Sequence, residues 1–236
     1  MFSVDKAFWD DHPSVKFIVV YAKGVNIPAA ADNVATFERE ITASTLRNWQ
    51  YENAQSHPYI KAWRDFLKGV GLPAKKYQAS VELLTKRVLS GKGLYNINPL
   101  VNFYNAVSIR HKVSIGAWDV DKLSGHCLRL GYSTGTEEFI EMGTTQATTL
   151  TNGEITYFDD KDVITRHFVW RQSEIGLVAE SSKNIFFVSE ILDCVKEEDI
   201  EEMMQTLKEK LSNWFNATVD IALIDSRTAT WTPDKL

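Results

Sequence analysis

The chain has 236 residues, 44% of them hydrophobic and 24% charged, so it can bury a sizeable core without disulfide bonds or structural metals. Its net charge of −5 argues against a general nucleic-acid binder, which is usually basic, and we expect no DNA partner. The two cysteines fit a reducing compartment and no apolar run approaches the roughly 20 residues that cross a bilayer, so we predict a cytoplasmic protein without a membrane partner.

The first half of the chain carries mainly helical patterns. A β-rich run over 15–23 predicts one strand, and apolar residues then recur at helical spacing. The predicted helices cover residues 29–49, 57–70, 78–90 and 98–111. Asn98 and Pro99 provide a cap and a first helical residue for the last of them.

The second half changes to short strands separated by turn residues. The predicted strands cover 126–130, 138–141, 155–159, 163–169 and 184–189. A strongly amphipathic helix over 197–215 and a strand over 218–224 follow. Helices that precede a run of strands favour an α+β fold over a doubly wound parallel sheet. Because the sequence has neither a repeat nor an obvious linker, we expect one domain over 1–236.

The usual cofactor and metal motifs do not occur in the sequence. There is no phosphate-binding glycine loop and no Gly-x-Gly-x-x-Gly fingerprint. His126 and Cys127 are adjacent and would point to opposite faces of a strand, and the five histidines are scattered. We therefore expect no metal and no cofactor, and we assign no catalytic residue.

An RNA contact in such an acidic chain would need a local basic patch. One candidate combines Arg110-His111-Lys112 with Lys122 and Arg129, and another combines Lys75-Lys76 with Lys86-Arg87. Such residues can equally form solvated faces, so both interpretations stay open.

Three asparagines lie on one face of the predicted helix over 98–111. Asn98, Asn102 and Asn105 have the spacing i, i+4, i+7, which places them above one another. Asparagine is a poor helix former, so its repeated use requires a structural or functional reason. The three side chains either fix a neighbouring loop through hydrogen bonds or line a pocket.

Two further segments place polar residues beside tryptophan. Gly116 precedes Trp118-Asp119 at what we interpret as a strand-end turn, and Trp170 precedes Arg171-Gln172-Ser173. An arginine at the end of a buried strand can clamp a carboxylate or phosphate, or it can form an internal ion pair with a residue such as Asp119. We predict that Arg171 and Asn105 face one pocket, with Trp118 or Trp170 as a wall.

Six short segments carry a family resemblance: Asn98-Pro99-Leu100-Val101-Asn102-Phe103-Tyr104-Asn105-Ala106-Val107, Gly116-Ala117-Trp118-Asp119, Asp121-Lys122-Leu123, Tyr157-Phe158-Asp159-Asp160, Val178 and Ser182-Lys183-Asn184-Ile185. With these residues, the segment 97–192 resembles the B3/B4 domain of the beta subunit of bacterial phenylalanyl-tRNA synthetase, and the chain resembles a stand-alone version of that domain. The resemblance implies an α+β fold with a β-sandwich-like core of unusual topology, flanked by helices. It also implies a tRNA or aminoacyl-tRNA partner, because that domain hydrolyses wrongly attached tyrosine from its tRNA.

The chain departs from the family at the positions that select tyrosine. The family has a histidine where Gly116 stands, a glycine pair at Gln172-Ser173, and its tyrosine-recognising glutamate at Val188. Glu190 is two residues further on and shares a face with Val188 if the segment is a strand. The resemblance therefore implies a retained pocket of altered specificity.

Two functions follow from these observations. The first is a free-standing deacylase that hydrolyses mischarged aminoacyl-tRNA through a positioned water and needs no side-chain nucleophile. The alternative is a non-catalytic binding module for tRNA or for a small amino-acid-like ligand. The substrate-binding candidates are Asn98, Asn102, Asn105, Gly116, Trp118, Asp119, Trp170, Arg171, Gln172 and Ser173.

Overall fold

The computed structural model describes residues 1–234, and the elements named below lie in that part of the chain. The α-helices are α1 Lys6–Asp11, α2 Ala31–Asn48, α3 Pro58–Gly69, α4 Ser80–Leu89, α5 Pro99–His111 and α6 Glu197–Trp214. The strands are β1 Phe2–Val4, β2 Lys16–Lys23, β3 Gly116–Asp119, β4 Leu128–Tyr132, β5 Glu138–Ile140, β6 Ala147–Thr149, β7 Ile155–Phe158, β8 Val163–Arg166, β9 Arg171–Gln172, β10 Asn184–Ile191, β11 Thr218–Ile224 and β12 Thr230–Trp231.

Two sheets face each other and form the predicted sandwich. The larger has the order β12-β1-β4-β7-β8-β9 and the smaller has the order β11-β2-β10-β3, while β5 and β6 form a separate hairpin. Residues of both sheets pack into one aromatic core, where Phe17 of the smaller sheet contacts Phe2 of the larger and Phe186 contacts Trp231. The α+β fold with a β-sandwich-like core is thus confirmed.

Helices cover the outer face of the smaller sheet. Strand β2 is buried on both faces, because Phe17 and Val19 point into the sandwich while Ile18 and Val20 point towards the helices. Helices α2, α4, α5 and α6 pack on that outer side, and the short helix α1 and helix α3 pack against the sandwich core instead. A strand buried on both faces reads as a continuous apolar run, as β2 does.

The predicted helices and most predicted strands are confirmed, with differences at their ends. The strand predicted over 163–169 stops at Arg166, because His167 and Phe168 adopt φ angles of 51° and 63°. The strand predicted over 126–130 begins at Leu128, since a short 3₁₀ turn precedes it. The short helix α1 and the short strands β1, β6, β9 and β12 were not predicted.

Candidate functional site

A cavity of about 190 Å³ opens where α5 meets the strands β3, β9 and β10. It brings together six of the ten residues that the sequence proposes as substrate-binding. Its lining includes Asn105, Gly116, Trp118, Trp170, Arg171 and Gln172, together with Glu190, Tyr157, Thr165 and Ser114. The predicted meeting of Asn105 and Arg171 at one pocket with a tryptophan wall is observed.

The floor of the cavity is a buried carboxyl–phenol pair. The Tyr157 hydroxyl donates a 2.7 Å hydrogen bond to Glu190 Oε1, and the two residues are 0% and 3% exposed. Burial raises the pKa of Glu190 to about 7, against its ordinary value of 4.5, because it disfavours the charged form. Burial and the neighbouring Glu190 also raise the pKa of Tyr157 well above its usual value. A carboxyl that changes charge near neutral pH is typical of a functional site.

The walls carry polar atoms that have no partner among the described residues. Trp118 Nε1, Gln172 Nε2, Thr165 Oγ1 and Ser114 Oγ are all buried without a hydrogen bond there. Buried polar atoms in proteins are normally paired, so four unpaired ones around a single cavity need an explanation. They can provide hydrogen bonds to a ligand.

The rim of the cavity is more exposed and carries a cation. The Arg171 side chain is 49% exposed, its Nε lies 3.2 Å from Glu141 Oε1, and its guanidinium lies 4.8 Å from the centre of the Trp170 ring. Arg171 therefore pairs with Glu141 and not with Asp119, the ion-pair partner considered from the sequence. Asn105 is half-buried at the rim, and its side chain forms no hydrogen bond within residues 1–234.

Gly116 leaves space for the indole of Trp118. A Cβ atom at position 116 would lie 2.6 Å from Trp118 Cη2, which is closer than real Cβ contacts. Gly116 and Trp118 are two residues apart in β3 and so point to the same face of the sheet. The residue type at position 116 and the placement of the tryptophan wall are therefore linked.

Four of the proposed residues lie outside the cavity lining and have structural contacts of their own. Asn98 caps α5 by accepting a 3.0 Å hydrogen bond from Val101 N. Asn102 Oδ1 accepts from Ile97 N at 3.0 Å, so these two asparagines fix the preceding loop. Asn98 and Asn102 do not line the cavity because they lie at the start of α5, whereas Asn105 lies far enough along the helix to reach it.

Asp119 and Ser173 are the other two. Asp119 alternates with Trp118 along β3 and so points away from the cavity, where the Ser182 hydroxyl donates to it at 2.5 Å. It also lies 3.2 Å from Lys122 Nζ. Ser173 Oγ accepts from Ile175 N at 3.2 Å and stabilises the turn after β9. Both residues are buried and structural.

A serine motif that the sequence reading overlooked also has a structural role. The residues Gly131-Tyr132-Ser133-Thr134-Gly135 match Gly-x-Ser-x-Gly, which in hydrolases places a nucleophile between a strand and a helix. Here β4 leads into a loop, and Ser133 Oγ donates to Thr151 O at 2.6 Å. Ser133 is thus held by the backbone, and no hydrogen bond joins it to a histidine in the described part of the chain.

The same part of the chain contains no cluster of three or more His, Cys, Asp or Glu side chains arranged to hold a metal ion. Among its helices, none combines the length and the apolar character that a membrane span requires.

Comparison with known proteins identifies the family. A model of the B3/4 domain family matches residues 62–228, which include every residue that lines the cavity. The chain belongs to the B3/4 domain family. The earlier resemblance over 97–192 lies entirely inside the matched part of this B3/4 domain, and no curated protein matches the chain.

One similar solved structure is an N-terminal fragment of the phenylalanyl-tRNA synthetase beta-subunit from Pyrococcus horikoshii. It is 13% identical to this B3/4 domain protein, with a TM-score of 0.45. The match covers 93% of this chain and 50% of that one, so the chain spans about half the length of the fragment.

Proposed function

We propose that this B3/4 domain protein binds the aminoacyl end of a tRNA and hydrolyses the ester of a wrongly attached amino acid in trans. The observation that carries the proposal is the cavity with the Glu190–Tyr157 pair at its buried floor and Arg171 at its exposed rim. This arrangement suits a ligand whose small end enters the protein while its large, anionic remainder stays outside.

The size of the cavity supports an amino-acid side chain as the part that enters. An engineered cavity of about 150 Å³ holds one benzene molecule, and this one is slightly larger at about 190 Å³. The cavity therefore has room for one small side chain, and the nucleotide that carries the ester would stay at the rim. The Glu190 carboxyl and the Tyr157 phenol would select a side chain that ends in a polar group, since such a group can form a further hydrogen bond with them and an apolar end cannot.

The hydrolysis needs no nucleophilic side chain. A water molecule attacks the ester carbonyl, the bond from that carbon to the ribose oxygen breaks, and the ribose hydroxyl recovers a proton. The rim groups are placed to assist, because the Arg171 guanidinium and the Asn105 amide can donate to the carbonyl oxygen as negative charge develops on it. Holding the ester next to these donors supplies the orientation that lowers the barrier.

The second candidate is a non-catalytic module that binds a small amino-acid-like ligand. The net charge of −5 favours it, and so does the pairing of Arg171 with Glu141, which reduces the positive charge available to a tRNA. The same cavity would then hold a free amino acid or a close analogue.

A deacylation assay separates the two candidates. The purified protein is incubated with a panel of correctly and wrongly charged tRNAs, and Arg171→Ala, Glu190→Gln and the exposed-strand control Glu138→Gln are tested beside it. Selective release of one amino acid, reduced in Arg171→Ala and altered in its selectivity in Glu190→Gln, would support the deacylase. If no member of the panel is hydrolysed while a free amino acid binds the cavity, the binding module is the correct function.

A further inference from the structure

A second cavity of about 240 Å³ lies at the C-terminal end of α5. It is enclosed by the C-terminal part of α2, the loop that follows α2, and the last residues of α5 with Lys112, and it shares no lining residue with the first cavity. Neither the family match nor the proposed hydrolysis gives this cavity a role.

One wall of the second cavity is aromatic. The rings of Trp49 and His57 are stacked, with their centroids 5.8 Å apart at an interplanar angle of 28°. Tyr51 packs edge-on against both, at 5.5 Å from Trp49 and 4.9 Å from His57, and it is 40% exposed. An exposed tyrosine beside a half-buried tryptophan offers ring surface on which another aromatic group can stack.

The opposite wall carries positive charge. Arg110 and Lys112 line the cavity, and Arg110 already forms an ion pair with Glu202. Lys112 has no carboxylate partner in the described part of the chain; its amine donates to the Ile109 carbonyl and lies 5.8 Å from the centre of the Trp49 ring. Burial lowers the pKa of Lys112 to about 8, so it is still mainly protonated at neutral pH. A desolvated cation without a counterion favours an anionic ligand.

A hidden donor completes the site. Trp49 Nε1 is buried and forms no hydrogen bond among residues 1–234. The ring surface, the cation and this donor all meet in one cavity that is smaller than the roughly 300 Å³ of a drug-sized pocket. The space therefore suits a single planar group that carries one negative charge nearby.

We propose that the second cavity binds one unpaired nucleotide of an RNA, with its base against Tyr51 and Trp49 and its phosphate at Lys112. That the nucleotide belongs to an RNA rests on the proposed function, in which the partner is a tRNA. The binding of a nucleotide in this cavity does not depend on hydrolysis. Asn105 in α5 lines the first cavity, and Lys112, which directly follows α5, lines the second, so the two cavities border the same helix roughly 10 Å apart along its direction.

Part of the basic patch considered from the sequence belongs to this site. Arg110 and Lys112 line the cavity, while Lys122 and Arg129 pair with Asp119 and Asp5 elsewhere. His111, between the two lining residues, is buried and only 5% exposed. The site therefore depends on a small number of residues, which makes it testable by substitution.

Isothermal titration calorimetry with adenosine 5′-monophosphate (AMP), adenosine and inorganic phosphate tests the proposal directly. We expect the full chain to bind AMP more tightly than adenosine or phosphate over the millimolar range. Base–aromatic stacking typically changes affinity by about fivefold to over a hundredfold on removal of the ring. Tyr51→Ala and Lys112→Gln should therefore each weaken AMP binding at least about fivefold.

Tyr95→Ala is the matched control, because Tyr95 is 51% exposed and lies 4.0 Å beneath the Arg87 guanidinium but lines neither cavity. It should leave AMP binding unchanged. The proposal is overturned if AMP does not bind, if phosphate or adenosine binds as well as AMP, or if both cavity variants bind AMP like the wild type. If the wild-type protein binds AMP but hydrolyses no charged tRNA, the proposed function alone is refuted. If it hydrolyses a charged tRNA but does not bind AMP, this site alone is refuted.

Discussion

The carboxyl of Glu190 predicts an unusual dependence of stability on pH. Its pKa is about 7 in the folded protein, whereas an unburied glutamate has a pKa of 4.5. Between these two values the folded state binds more protons than the unfolded state, so the free energy of unfolding falls as the pH rises through this window. One pKa unit corresponds to about 1.4 kcal/mol, which gives a loss of about 2 to 3 kcal/mol between pH 5 and pH 8.

Glu190→Gln removes this titration while keeping an oxygen that can accept from the Tyr157 hydroxyl. Relative to the wild type, the variant should gain about 2 to 3 kcal/mol of stability on going from pH 5 to pH 8. Urea unfolding of both proteins at the two pH values measures the difference, and the other titrating groups cancel because the two proteins share them.

The control is Glu138→Gln, which removes the same charge from an exposed position of β5. It should follow the wild-type pH dependence. Parallel stability profiles of the wild type and Glu190→Gln would refute the reasoning, because Glu190 would then titrate alike in the folded and unfolded states.

Three further outcomes follow from the site. Gly116→Ala should lower the free energy of unfolding by about 1 to 3 kcal/mol, because the new Cβ would lie 2.6 Å from Trp118 Cη2. Thermal unfolding measures this loss, which should be smaller when the same substitution is made in Trp118→Phe. Asn98→Ala should lower the free energy of unfolding by about 1 kcal/mol because α5 loses its cap, and Asn98→Ser should retain most of that stability. Equal melting temperatures of the wild type and both variants would contradict the capping role. Arg171→Ala should impair deacylation but change the free energy of unfolding by less than about 1 kcal/mol, because the ion pair of Arg171 with Glu141 is half-exposed. A large loss of stability would show that Arg171 has a structural role instead.

Much of the secondary structure could be predicted because it depends on short-range patterns. The helix over 197–215 is apolar on one side and acidic in its first turn, and it is observed as Glu197–Trp214. The start of α5 was predictable for the same reason, since Asn98 and Pro99 satisfy the local requirements of a helix N-terminus. The strands β1, β6, β9 and β12 were missed because each spans only two or three residues, too few to show a period.

The candidate site was only partly predictable, because its members come from distant parts of the chain. Helical spacing correctly placed Asn98, Asn102 and Asn105 on one face of a helix, but spacing alone could not distinguish the two that fix a loop from the one at the cavity rim. The sequence indicated Glu190 only because it lies two residues from Val188, the position at which the family has its tyrosine-recognising glutamate. Its partner Tyr157 is 33 residues away and belongs to the opposite sheet.

The sequence by itself determined the α+β class, the boundaries of the predicted helices to within a few residues and the capping of α5, because each depends on neighbours within a few positions. Only the tertiary structure decided which polar groups meet. The pairing of the sheets brings Tyr157 to Glu190, the bare Cα of Gly116 admits the Trp118 ring, and the loop after α2 brings Tyr51 near Lys112. Those contacts depend on packing between elements far apart in the chain, which no local period encodes.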